Sequence, residues 1–332
     1  MLTPMGFGTA PLGNLYRRIE DADAQATLQA AWDAGLRYFD TAPQYGLGRS
    51  EHRIAKALPR FDADALILST KVGRLLLDCP PEDVTPEAFV DVPQKRIQFD
   101  YTYDGVMRSL DASIARLGTD QIDILMLHDL DAGTHGVEGE AKNLTELFSG
   151  GGYRALSELR EAGRITAIGA GVNTWEICER LLHEAEFDTF LLAGRYTLLE
   201  QEALETFLPL CVARDVGIIL GGPYNSGILA TGAVDGAHYN YLPAPPDVMA
   251  RVSRIAAVCA AHDAPMMAAA LQFPMAHPAV KTVIPGAASP EQVRQNVEIF
   301  ETPISDALWS DLKSEGLLRP DAPVPQGDCN AA

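Results

Sequence analysis

A chain of 332 residues with 47 % apolar and 21 % charged residues has the balance of a globular enzyme and excludes disorder. Its formal net charge of −19 argues against nucleic acid as the main partner and against an anionic membrane surface. Five cysteines (Cys79, Cys178, Cys211, Cys259, Cys329), odd in number and without a C-x-x-C pair, indicate neither a disulfide framework nor a structural zinc site.

Strand and helix patterns then alternate along nearly the whole chain. The N-terminus lacks the basic and apolar regions of a signal peptide, and no apolar run approaches membrane-span length, so the cytoplasm is the expected compartment. Gly6-Phe7-Gly8-Thr9 reads as a short first strand. The next helix carries Ala24, Leu28, Ala31 and Trp32 on one face and stops at Gly35. Arg37-Tyr38-Phe39-Asp40 reads as a buried second strand; Pro43 forbids its continuation, and Gly46 and Gly48 free the loop behind it. A short helix covers 49–58, and strand three is 66–71. A long insertion with Cys79-Pro80-Pro81 and Val92-Pro93 precedes a helix bearing Val106, Leu110, Ile114 and Leu117.

Strand four, 122–128, is almost continuously apolar, as a parallel strand buried on both faces must be. A Gly-rich excursion over 129–152 leads to a helix at 153–162. Strand five, 166–172, is expected to be capped by Asn173-Thr174 into a helix with Ile177, Leu181 and Leu182. Strand six is 189–193, followed by a helix with Leu204, Phe207, Leu208 and Cys211. Strand seven, 216–220, leaves through Gly221-Gly222-Pro223-Tyr224-Asn225-Ser226-Gly227, and strand eight is 280–285. The Pro-rich tail, 319–332, is expected to be irregular. Eight parallel strands with interposed helices point to a closed (β/α)8 TIM barrel, one domain over 1–332, with long loops at its C-terminal face. A doubly wound open sheet is the alternative, disfavoured because the Rossmann glycine fingerprint is absent.

Chemistry in such a barrel belongs at the C-terminal strand ends. Asp40 ends strand two, Lys71 strand three and His128 strand four, and neighbouring strands lie roughly 4.8 Å apart. Tyr45 reaches the same place from its loop. Singly, each has an ordinary explanation: a helix cap, a solvated lysine, a structural histidine. Together at successive strand mouths they form a catalytic candidate.

These residues in their contexts, Phe39-Asp40-Thr41-Ala42, Tyr45, Thr70-Lys71-Val72 and Leu127-His128, resemble the Asp, Tyr, Lys and His tetrad of the aldo-keto reductases. The resemblance runs from Gly6 to about Phe300. Within that family the chain is similar to the subgroup holding the bacterial aldose 1-dehydrogenases (L-fucose or D-threo-aldose dehydrogenase) and pyridoxal 4-dehydrogenase. The segments 99–110, 192–201 and 221–227 carry that likeness. The resemblance implies a nicotinamide cofactor. It implies that Asp40 serves the cofactor as well as catalysis and that Asn173 holds the carboxamide. The 222–227 loop (Gly222, Pro223, Tyr224, Asn225, Ser226, Gly227) and Pro285, Gly286, Ala287, Gln292 and Asn296 are implied for the rest of the cofactor. Independently of the family, small backbone followed by Pro290 opening a helix makes an anion-accepting N-terminus.

The pattern also departs from the family's. Ala193 stands for a glutamine near the end of strand six, and Gly221 for the aromatic residue that stacks on nicotinamide, with Tyr224 a candidate substitute. Gly286 and Gln292 stand where a cation for the NADP 2′-phosphate is expected, which favours NAD over NADP; Arg294 leaves NADP open.

The resemblance implies Tyr45 as the acid/base. Lys71 is expected to lower the phenol from its ordinary value near ~10, Asp40 to hold Lys71, and His128 to fix the substrate oxygen. No metal is called for. Two other classes compete: a lyase with Lys71 as a Schiff base, and a cofactor-binding module without turnover. The excursions after strands one, three, four and seven mix Tyr16, Tyr224, Tyr239 and Tyr241 with Asp129, His135, Asn225 and Asn240. Such a mouth suits a sugar or a pyridoxal-like ring. The expected reaction is oxidation of an aldose's cyclic hemiacetal, as of L-fucose or D-arabinose, to a lactone. The alternatives are pyridoxal oxidation to 4-pyridoxolactone and general aldehyde reduction. Oligomeric state is not legible.

Overall fold

The computed structural model describes residues 2–326; the end of the tail, with Cys329, lies outside the described residues. The eight strands are Phe7–Gly8 (β1), Tyr38–Asp40 (β2), Ile67–Val72 (β3), Ile124–His128 (β4), Ala167–Val172 (β5), Thr189–Ala193 (β6), Gly217–Gly221 (β7) and Val280–Ile284 (β8). They hydrogen-bond in parallel, in chain order from β1 to β8. The ring closes where Met5 bridges Val283 and Gly8 bridges Gly286, with Gly6 N donating to Val283 O at 2.9 Å. The expected (β/α)8 barrel forms, and strand ends differ from the sequence reading by only a residue or two.

Side chains alternate across each strand, and this period of two builds both the core and the site. Tyr38, Ile124, Met126, Leu191, Ile219 and Ile284 fill the barrel interior as one cluster. The residues between them, among them Phe39, Leu68, Leu125, Leu127 and Ile168, join the larger cluster beneath the surrounding helices. Strand β4 reads as uninterrupted apolar sequence because every one of its residues is buried. One more inward step beyond Tyr38, Ser69 and Met126 delivers Asp40, Lys71 and His128 to the barrel's C-terminal mouth.

The connections depart from expectation in three places. The insertion after β3 is a hairpin, Arg74–Asp78 paired antiparallel with Lys95–Phe99; its prolines sit in the turn, where no ladder N–H is required. The Gly-rich stretch 129–152 is not a loop. It is mostly the helix Ala132–Phe148, kinked at Gly136, with Asp131 capping Thr134 N and Asn143, Leu144 and Leu147 buried. An N-cap and one buried side outweigh the glycine content. Asn173-Thr174 do not cap the next helix, Glu176–Glu184, which starts after Trp175 without a side-chain cap; the Asn173 amide is taken by Asp129 instead. After β7, His238–Tyr239 pairs with Leu242–Pro243 in a small hairpin over the mouth. Residues 319–326 are irregular, as expected of the tail.

Among the described residues, no helix is long and apolar enough to cross a membrane, and Cys79, Cys178, Cys211 and Cys259 are free thiols. Met126 is fully buried inside the barrel. Met126→Ala should therefore cost about 2–5 kcal/mol of stability, measured from urea unfolding. A loss well under 1 kcal/mol would contradict a close-packed interior.

Candidate active site

The mouth of the barrel holds a cavity of about 380 Å³ lined by Tyr45, Lys71, His128 and Asn173 among others. Asp40 lies just beneath it. The Lys71 ammonium, 1 % exposed, donates to both Asp40 carboxylate oxygens at 2.9 and 2.8 Å and to Thr41 O at 2.8 Å. Its remaining neighbour is the Tyr45 hydroxyl at 3.3 Å. Asp40 is held from the other side by Ser69 Oγ, which donates at 2.7 Å and itself meets Tyr38 OH at 2.9 Å. Room for the lysine stem comes from Gly171 on β5: a Cβ there would fall 2.9 Å from Lys71 Cε. An ammonium this fully bonded is a charge donor, not a free amine nucleophile.

The electrostatics correct one expectation. Burial pushes the Tyr45 phenol well above its ordinary value, with Asp40 and Asp129 pushing the same way and Arg74 opposing. The Lys71 ammonium beside it does not bring the resting phenol below its ordinary value, because burial and the two carboxylates outweigh the nearby cations. Burial, with help from Arg74 and Lys71, holds His128 well below its ordinary range, so the imidazole is neutral. Its ring meets Tyr45 edge-on at 6.0 Å, its Nε2 lies 3.3 Å from Asp129 Oδ2, and its Nδ1 is buried without a partner.

A second charged group lines the same cavity and was missed as a unit. Arg74, 3 % exposed, donates to Asp129 Oδ2 at 2.6 Å and to Glu87 Oε1 at 2.9 Å. The sequence reading had Asp129 only as a polar loop residue and did not use Arg74 at all. The available signal was position: Arg74 follows Lys71 by three residues and Asp129 follows His128 directly. What hid them was the reading of both segments as loops. Asp129 also accepts from Asn173 Nδ2 at 3.2 Å and sits at φ 45°, a left-handed conformation that costs a non-glycine residue energy.

The remaining cofactor candidates gather outside the cavity on the β7–β8 side. Tyr224 OH donates to Asn296 Oδ1 at 2.9 Å, so this ring is turned towards the β8 side. Asn225, 3 % exposed, donates to Gly194 O at 3.1 Å and leaves its Oδ1 without a partner. Ser289 caps the helix Pro290–Phe300 by accepting from Gln292 N, and Gln292 Oε1 accepts from Ala288 N. Gly222, Ser226 and Gly227 have positive φ. Gly286 packs where a Cβ would fall 2.8 Å from Pro11, so the chain behind Pro285 and before Ala287 runs bare against the β1 loop. Among the described residues no group of three or more His, Cys, Asp or Glu side chains could hold a metal.

Fold and mouth together define a parallel α/β barrel with a buried carboxylate–ammonium pair under a phenol. Residues 4–315 match the model of the aldo/keto reductase family. The chain is 45 % identical to pyridoxal 4-dehydrogenase of Microbacterium luteolum, covering 96 % of this chain and 95 % of that one. It is 39 % identical to D-threo-aldose 1-dehydrogenase of a Pseudomonas species, over 95 % and 94 %. An aldo-keto reductase of Bacillus halodurans in its holo form superposes with a TM-score of 0.73 at 22 % identity, over 98 % and 95 %. The chain belongs to the aldo/keto reductase family, and it is an oxidoreductase.

Burial pushes the Asp129 carboxyl up to about 6, against the pull of Arg74, whereas an unfolded aspartate titrates near ~3.9. Between these values the folded chain keeps a proton that the unfolded chain has released, so this group's contribution to stability falls as pH rises. From about pH 4 to about pH 6.5, wild type should lose on the order of 2 kcal/mol relative to Asp129→Asn, by urea unfolding. Parallel pH curves would contradict a buried, titrating Asp129.

Proposed function

We propose that the protein is an NAD-dependent dehydrogenase that oxidises the ring-closed hemiacetal of an aldose at its anomeric hydroxyl, giving the lactone. The observation that carries the reading is the Lys71–Asp40 pair, at 2.8 Å and almost fully buried, directly beneath the Tyr45 hydroxyl in a cavity of about 380 Å³. That volume suits a monosaccharide-sized ligand.

A dinucleotide would lie beside the cavity on the β7–β8 side. The orphaned Asn225 Oδ1 and the bare chain at Gly286 are polar and steric provisions of the kind it would use. Asn173 would hold the carboxamide. The 222–227 loop, with Pro285, Gly286, Ala287, Gln292 and Asn296, would hold the remainder. Bound nicotinamide supplies the hydride acceptor. Arg294 is paired with Glu291 at 3.0 Å, which leaves no unpaired cation on this segment for a 2′-phosphate and supports NAD over NADP.

The chain's own part is proton handling. Tyr45, once ionised to the phenolate, takes the proton from the anomeric hydroxyl during oxidation, and as the phenol returns it in reduction. Lys71, held charged by Asp40, stabilises the phenolate as it forms. His128, neutral, orients the substrate oxygen. Since the resting phenol is held protonated, oxidative turnover should climb with pH well into the alkaline range.

A second reading, pyridoxal oxidation to its lactone, is favoured by the relative of that name at 45 % identity and by Arg74 in the cavity wall. Pyridoxal closes into the same kind of ring, and one tyrosine serves both. The aldose stays ahead because the Arg74 charge is already taken by Asp129 and Glu87.

A screen of NAD⁺ and NADP⁺ with aldoses, pyridoxal and open-chain aldehydes tests this. The expected result is NADH formation with an aldose, a lactone product, and higher kcat/KM with NAD⁺. Consumption of reduced cofactor by open-chain aldehydes alone would replace the dehydrogenase with a general reductase. Tyr45→Phe should lower kcat by about 10³-fold or more while cofactor affinity, read from fluorescence, stays within about threefold. Near-wild-type turnover would remove Tyr45 from its role.

A further inference from the structure

The cavity wall beside His128 carries a built charge pair that proton transfer does not require. Arg74 and Asp129 are 3 % and 6 % exposed, yet both line the cavity. A buried pair of this kind has to offset a large desolvation cost, and Asp129 adds the strain of φ 45°. Apolar residues would line a sugar-sized hole at less cost. The pair therefore reads something that enters the cavity.

Hydrogen-bond accounting points to what it reads. An ionised carboxylate offers about four acceptor positions. On Asp129, Oδ2 accepts from Arg74 at 2.6 Å and faces His128 Nε2 at 3.3 Å, and Oδ1 accepts from Asn173 at 3.2 Å. At least one acceptor position is left over. Arg74 gives one bond from Nη1 to Glu87 and one from Nη2 to Asp129, which fixes the carboxylate, and its buried Nε has no partner. Asp129 therefore keeps acceptor capacity for a donor that enters the cavity. Asp129 and Tyr45 line the same cavity with Tyr241, and the His128 ring, edge-on to Tyr45 at 6.0 Å, lies 3.3 Å from Asp129 Oδ2. A substrate whose reacting hydroxyl meets Tyr45 brings its adjoining substituent to Asp129.

We propose that Asp129, held in place by Arg74, is a specificity-determining group that accepts a hydrogen bond from the hydroxyl on the carbon next to the reacting one. This rests on the reading of the substrate as a cyclic aldose and narrows it to sugars hydroxylated at C2. Arg74 is a positioning residue in this account, and Asp129 binds the substrate. A substrate lacking that hydroxyl leaves a buried carboxylate unpaired, the situation that rejects analogues most strongly.

The test compares D-arabinose with 2-deoxy-D-ribose, which differ only at C2, in wild type and Asp129→Asn. Wild type should favour the hydroxylated sugar by about 100-fold or more in kcat/KM, and Asp129→Asn should shrink that ratio to below about tenfold. If both sugars fall by the same factor, Asp129 is structural and the inference is overturned. Should Asp129→Asn not fold, wild type decides through competitive inhibition by the 1,5-anhydroalditol of arabinose configuration and its 2-deoxy form: a tenfold or larger gap in Ki supports the proposal, and equal values overturn it. If wild type oxidises no aldose, the proposed function fails and takes this inference with it. Turnover of arabinose without any discrimination at C2 sinks this inference alone.

Discussion

The ion pair between Lys71 and Asp40 is the constraint on which the rest of the mouth depends. Two opposite charges buried together are worth little net when complete, but removing one leaves an uncompensated charge that costs several kcal/mol. The protein completes the pair with three further hydrogen bonds, from Ser69 to Asp40, from Lys71 to Thr41 O and from Lys71 to Tyr45. Each satisfied partner fixes the next, so the position of the Tyr45 hydroxyl follows from the requirement that no buried charge go unmet.

That pair could only be built where adjacent parallel strands end together. Tyr38 and Asp40 on β2, Ser69 and Lys71 on β3, and Met126 and His128 on β4 each stand two residues apart, the apolar or uncharged member inside the barrel and the ionisable one at its lip. The same alternation that seals the interior thus exposes the chemistry at one end. The long connections then give that end its character. The hairpin starting at Arg74 and the turn at Asp129 bring a second buried pair to the wall beside His128, and the hairpin carrying Tyr241 lies over the mouth.

Much of this was legible in the sequence, and what was not has a physical reason. Strand β4 announced itself because a strand buried on both faces must be apolar throughout, and Asp40, Lys71 and His128 were readable because each interrupts such a strand at its end. Stretch 129–152 misled because six glycines mask a helix whose evidence is tertiary: one side of Asn143, Leu144 and Leu147 packed inward. Arg74 was invisible for a similar reason, since nothing in a Pro-containing insertion says that its first residues pair with Lys95–Phe99. The Tyr45 phenol stands above its ordinary value, not below it, because burial and the carboxylates of Asp40 and Asp129, all of them tertiary, outweigh the neighbouring lysine. Asn173 was placed correctly at the strand end but not as a partner of Asp129, a contact across 44 residues.

Lys71→Met tests the central claim most directly, because methionine keeps the stem's bulk beside Gly171 and deletes only the ammonium. Single-turnover oxidation should slow by at least about 10²-fold, while cofactor affinity changes by no more than about threefold. Lys71→Met oxidising at a rate close to wild type would contradict the account, since the phenolate would then form without the buried ammonium said to stabilise it.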